Sequence, residues 1–246
     1  MAISFHVMAA NGALIGVVRE RLDAVLNETA AISSALLDLP DVDVIVMNVP
    51  WAVIPRLGAG GTSYDAHQVV LWLDVGHEHL KTNFAQPIRS ILAHELHHCA
   101  RAHASGGKFG ETYGENLVLE GLACCFEEEI GGPTPFYALE CKGADLERFS
   151  EQARGQLSAT RKSLGRSWDD WMFGQAPDDP DFPYQCGYSL GYAIVRNWLA
   201  KTGGSASRAV GVDACDVLEA WCEGWGDGIR RSIKVTDSAA LRLADE

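Results

Sequence analysis

The chain has no run of about 18 consecutive apolar residues, and its mean hydropathy is −0.02, so no membrane-spanning helix is expected. The N-terminus, MAISFHVMAANGALIGVVRERL, places no basic stretch ahead of an unbroken apolar core. Asn11 and several small residues interrupt positions 7–18, and no signal peptide is read there. Basic residues are the minority, 20 Lys and Arg against 33 Asp and Glu, for a formal charge of −13. They are scattered along the chain, which excludes the basic patch of a nucleic-acid binder. No two of the seven cysteines have C-x-x-C spacing, so neither a cysteine-type zinc site nor a disulfide framework is suggested. Most are expected to be small, buried, reduced core residues, which fits a cytoplasmic protein. Internal repeats and low-complexity linkers are also lacking.

What is present is an ordinary globular composition, 47% hydrophobic and 22% charged over 246 residues. Residues 3–8 read as a short strand. Residues 14–37 place apolar side chains at helical spacing, with Pro40 beyond the end. Residues 42–49 alternate Val or Ile with polar residues, a strand signal, and 68–74 (QVVLWLD) form a second strong strand candidate. Between them lies a loop punctuated by Pro50, Pro55 and the glycines 58, 60 and 61. From Pro87 onward the pattern is mostly helical. A small sheet followed by a helical portion predicts an α+β protein.

Half of the chain's eight histidines fall in residues 90–104, SILAHELHHCARAHA. His94-Glu95-Leu96-His97-His98 satisfies H-E-x-x-H. Pro87 suits the first turn of a helix, and Ile88, Ile91, Leu92, Leu96 and Cys99 recur at helical spacing. At about 100° per residue, His94 and His98 lie only about 40° apart on one face and can share a tetrahedral cation. Glu95, about 100° from His94, is poorly placed as a ligand but well placed to hold a water as general base. Neutral imidazoles suit zinc. His97 points about 60° to the other side of His94 and is expected to be exposed or to sit behind the ligands. His103 lies five residues past His98, where the metzincin pattern requires six, so it is set aside.

Two histidines leave a catalytic zinc one protein ligand short. Glu120, set among apolar and small residues (VLEGLA), is the leading candidate, because a carboxylate there is costly unless paired or metal-bound. Cys124, one turn later, is the alternative. Gly121 would permit close approach of another backbone. Glu111 and Glu115 sit at a helix start, where acidic residues are favoured for dipole reasons alone. Glutamates 127–129 read as a solvated charge run near the helix end. Farther on, in GYSLGY, Gly187 and Gly191 are four apart, as are Tyr188 and Tyr192. Tyr188 is the candidate donor to an oxyanion, with Tyr184 and Tyr192 behind it. Tryptophans 168, 171, 198, 221 and 225 read as core or ridge residues.

The segments QVVLWLD, RSILAHELHHCAR, NLVLEGLACCFEEE and YQCGYSLGYAIVRNWLA together resemble the bacterial predicted Zn-dependent protease domain related to YjaZ, placed among the gluzincin-like metallopeptidases. The resemblance covers residues 60–200. It implies zinc on His94, His98 and Glu120, with Glu95 as base. It also implies a zincin-like fold in which an edge strand, here 68–74, runs beside the zinc helix and could pair with an extended peptide. On this reading residues 1–246 form one metallopeptidase domain, with 1–80 mainly sheet-forming and 81–246 mainly helical. The expected activity is hydrolysis of peptide bonds in a peptide or protein substrate, with Zn2+ as cofactor and no nucleic-acid or membrane partner. Loop 50–66 is a candidate flap. Two alternatives stand beside it: a non-catalytic zinc-binding module, and a zinc hydrolase of non-peptide amides.

Overall fold

The computed structural model describes residues 2–164, 166–174 and 179–223; Trp225 lies outside them. The chain is α+β and divides into two compact units. The first comprises Met1–Phe109 and Phe126–Pro133, the second Gly110–Cys125 and Thr134–Glu246.

The first unit is built on a four-stranded sheet of β1 (Ile3–Met8), β2 (Val42–Asn48), β3 (Ala59–Asp65) and β4 (Gln68–Leu73) in the order β1-β2-β4-β3. β1, β2 and β4 are parallel, and β3 runs antiparallel to β4. A crossover helix, α1 (Gly16–Leu36), joins the first two strands, as a parallel pair requires. The period-2 pattern of β2 is realised: Val42, Val44 and Val46 are buried, while Asp43 and Ile45 are exposed.

Two expectations change here. Residues 59–65, read as part of a glycine-rich flap, form β3. Strand 68–73 is not the edge, because β2 and β3 pair with it on both sides; the edge beside the helix is β3. Alanine and glycine give β3 little intrinsic strand preference, so its pairing with β4 is a tertiary effect.

After the short α2 (Glu78–Thr82) comes α3 (Ala85–Ala104), which packs on β3, β4 and α1. The stripe Ile88, Ile91, Leu92, Leu96 and Cys99 is buried as expected. So is the opposite side, however, since every residue from Ser90 to Ala100 is buried.

β3 and α3 run in the same direction, in register. A Cβ built on Gly61 would lie 2.7 Å from Ile91 Cγ2. Two residues on, Ser63 bonds Glu95. Two further, the Asp65 carbonyl accepts from Cys99 Sγ at 3.5 Å. Two strand residues rise about 6.6 Å and four helical residues about 6.0 Å, so the contacts keep step from Gly61 to Ser63; a bulge lies between Ser63 and Asp65.

In the second unit, α4 (Tyr113–Glu129) contributes its first three turns, and its last residues belong to the first unit. α5 (Gly143–Arg154), α6 (Trp168–Phe173) and α8 (Ala214–Glu223) pack around α7 (Cys186–Thr202). The glycines act as the sequence suggested. A Cβ on Gly121 would strike the Gly191 carbonyl, and one on Gly191 the Leu117 carbonyl, so α4 and α7 cross at backbone contact. Trp171 and Trp221 are buried, as core residues should be. All seven cysteines are free thiols, five of them buried. Among the described residues, no helix is long and apolar enough to cross a membrane.

Candidate metal centre

His94, Glu95 and His98 are all buried on α3. The two imidazoles stack edge-on, with ring centroids 4.6 Å apart and planes at 89°. Each offers a nitrogen within 4.8 Å of the other's. This is what an i, i+4 pair on one helix face should give.

The last turn of α4 supplies a partner. His94 Nδ1 lies 2.8 Å from Glu127 Oε1, and the Glu127 side chain has 0% solvent exposure. An ionised Glu127 can only accept, which would put the hydrogen on Nδ1 and leave the Nε2 lone pair for a cation. A carboxylate behind a histidine in this way fixes its tautomer and ring orientation and raises its basicity as a ligand. The donor set therefore fits zinc on chemical grounds.

One expectation is corrected by these contacts and another is narrowed. Glu127 is not part of a solvated run, although Glu128 and Glu129 are partly exposed. Of the two placements expected for His97, the exposed one is ruled out: it is fully buried, with its ring 5.4 Å from that of Phe126. His103 is exposed.

Glu95 faces β3. Ser63 Oγ donates to Glu95 Oε2 at 2.6 Å. A Cβ on Gly61 would come within 3.0 Å of Glu95 Cγ, so a bare backbone forms the floor under this side chain. One turn on, burial first and the charges of Glu95 and Asp65 second push the Cys99 thiol well above its usual range. Cys99 is thus a neutral donor rather than a thiolate beside the site.

The remaining candidates lie in the second unit. Glu120 is half-buried on α4, seven residues before Glu127, and Cys124 is fully buried on the same helix. Seven residues make almost two whole turns, so Glu120 and Glu127 share a helix face about 10 Å apart. Glu115 is a helix cap: its Oε2 accepts from the backbone N–H of Glu111 and Thr112 and from the Thr112 hydroxyl, at 2.9, 2.8 and 2.9 Å. Glu111 is exposed. Tyr188 is half-buried on α7, its ring 5.3 Å from that of Tyr137 and 5.7 Å from that of Phe173. Tyr192 is buried and Tyr184 exposed.

Sequence reasoning missed Ser63 and Glu127. Glu127 had a legible signal, its two-turn spacing from Glu120; Ser63 had none, because its strand was read as a loop.

Searches of curated proteins and of solved structures returned no significant match. A family model does match, over residues 22–219, and the chain belongs to the family described as predicted Zn-dependent protease (DUF2268).

Proposed function

We propose that the protein is a zinc-dependent metallopeptidase in which His94, His98 and Glu120 hold the metal and Glu95 is the general base. The observation that carries this reading is the His94–His98 pair on one face of α3, with His94 locked by buried Glu127 and Glu95 held on the next position. Glu120 completes the set on the strength of its position, a half-buried carboxylate on the helix face that also bears Glu127. Zinc, when bound, supplies Lewis acidity, making a water ionisable near neutral pH and polarising a carbonyl.

The chain's own residues do the rest. Glu95 takes the proton from water and delivers it to the leaving amine, so the carboxylate ends as it began. Glu127 holds the His94 ring, and with it the direction of its Nε2 lone pair. Tyr188 is the proposed donor to the oxygen on which charge develops. The substrate is a peptide or protein, with no nucleic-acid or membrane partner.

The test combines metal analysis with one substitution. Purified protein should hold about one zinc per chain and cleave fluorescently labelled casein. Glu95→Gln should keep the zinc and lose at least about 100-fold in cleavage rate. Less than about half an equivalent of zinc, with no gain on adding it, sinks the metal assignment. Undiminished cleavage by Glu95→Gln sinks the base.

A further inference from the structure

We propose that Ser63 is a positioning residue for the general base, selecting which Glu95 carboxylate oxygen is presented to water; this rests on the metallopeptidase reading above. Ser63 Oγ lies 2.6 Å from Oε2, a short hydrogen bond of the kind a hydroxyl makes to a charged carboxylate. Among the described residues, no other side chain donates to that carboxylate. Oε2 is therefore the oxygen tied to β3, and Oε1 is the one left without a side-chain donor, which the proposal assigns to water.

The strand is shaped for this contact rather than for its own stability. β3 reads Ala-Gly-Gly-Thr-Ser-Tyr-Asp, a composition that disfavours strands. Gly61 is what lets the strand reach α3, since a Cβ there would meet Ile91 Cγ2 at 2.7 Å, Glu95 Cγ at 3.0 Å and Leu71 Cδ2 at 3.1 Å. Glu95 Cγ lies against that glycine. Ser63, two residues on and on the same face of the strand, then reaches the carboxylate. A glutamate has three side-chain torsions, and two contacts on one strand hold it, Gly61 at Cγ and Ser63 at the carboxylate. Immobilising the base before the substrate arrives is the kind of preorganisation that holds reacting groups in place.

A positioning role predicts a split between turnover and binding. In the zinc-loaded protein, Ser63→Ala should lower kcat for a quenched-fluorescent peptide by about 10-fold or more, part of the 100- to 10,000-fold that general-base catalysis supplies. KM should change by less than about twofold, because substrate binding is untouched. Zinc content should stay equal to that of the parent protein. Ser63→Thr, which keeps the hydroxyl on a strand-favouring residue, should restore kcat.

A readout independent of activity is the side-chain carboxylate 13C resonance of Glu95, identified by its loss in Glu95→Gln. It should move in Ser63→Ala and return in Ser63→Thr. Unchanged kcat and an unmoved resonance in Ser63→Ala overturn the assignment of Ser63 while leaving the metallopeptidase reading intact. A parent protein that binds no zinc, or whose Glu95→Gln variant cleaves normally, overturns both. Loss of kcat together with loss of zinc in Ser63→Ala, not rescued by Ser63→Thr, marks a structural role and overturns the proposal.

Discussion

Glu127 Oε1 lies 2.8 Å from His94 Nδ1, and nothing of its side chain reaches solvent. A buried carboxylate is tolerated only when paired and hydrogen-bonded, so the contact constrains both partners. Replacing Glu127 with Ala would leave a buried N–H unsatisfied and free the ring to rotate. Zinc affinity should fall about 10- to 100-fold, the usual cost of losing a carboxylate behind a ligating histidine. Glu127→Gln, whose amide oxygen still accepts from Nδ1, should fall less. Competition against a chromophoric chelator measures both, and an unchanged affinity in Glu127→Ala would show that His94 is not oriented by this bond.

Gly61 tests the fit of strand to helix. Adding a methyl at a position 2.7 Å from Ile91 Cγ2 forces β3 away from α3, and overpacking of this kind costs about 1–3 kcal/mol. Gly61→Ala should therefore lower the melting temperature by several degrees. Gly155→Ala is the control. The nearest atom to its new Cβ is the Gln152 carbonyl oxygen, an ordinary 3.6 Å away, so thermal unfolding should be unchanged or slightly raised there. Equal effects at the two positions would contradict a specific close approach.

The elements legible in the sequence are those whose signal is local. α3 announces itself by its apolar stripe and its histidines, and β2 by strict alternation, because each carries its burial pattern within its own residues. β3 does not, since its glycines serve neighbours: Gly61 lets α3 approach, and Gly60 the backbone of residues 52–54. Reading 59–65 as a loop followed from that composition, and the edge was then misplaced onto 68–74. The burial of His97 against Phe126 is likewise a contact between distant segments that no helical wheel of α3 contains. Among three successive glutamates, composition cannot say which faces inward, but helical phase can. Position 127 repeats position 120 after almost two turns, whereas 128 and 129 rotate away by about 100° and 200°.

The start of α4 predicts a pH dependence. Burial opposes ionisation of Glu115, but donors from Thr112 and Glu111 outweigh it and hold the carboxyl below its ordinary value of 4.5. Thr112 Oγ in turn accepts from the Glu115 N–H at 3.3 Å, completing a reciprocal cap. A carboxylate with a lowered folded-state pKa stabilises the fold above its unfolded-state value, and that contribution disappears as pH falls through the folded value. Glu115→Ala should thus cost about 1 kcal/mol at pH 7, the usual worth of a cap. The gap from the parent protein should shrink once the pH drops below 4.5. Urea unfolding at neutral and acidic pH reads the difference, and a gap of constant size would show that the ionised form is not what the cap uses.

The crossing of α4 and α7 tests the proposed third ligand. Gly191 and Gly121 place the two helices at backbone contact, so a methyl on either meets a carbonyl group that cannot move aside as a flexible side chain would. Gly191→Ala and Gly121→Ala should each destabilise the protein by about 1–3 kcal/mol or more. Because Gly121 follows Glu120 in the chain, any displacement of α4 at the crossing also displaces that carboxylate. With Glu120 holding the metal, as proposed, zinc affinity should fall in both variants under conditions where circular dichroism shows them folded. A loss of stability with zinc affinity intact would separate the crossing from the third ligand and argue that Glu120 does not hold the metal.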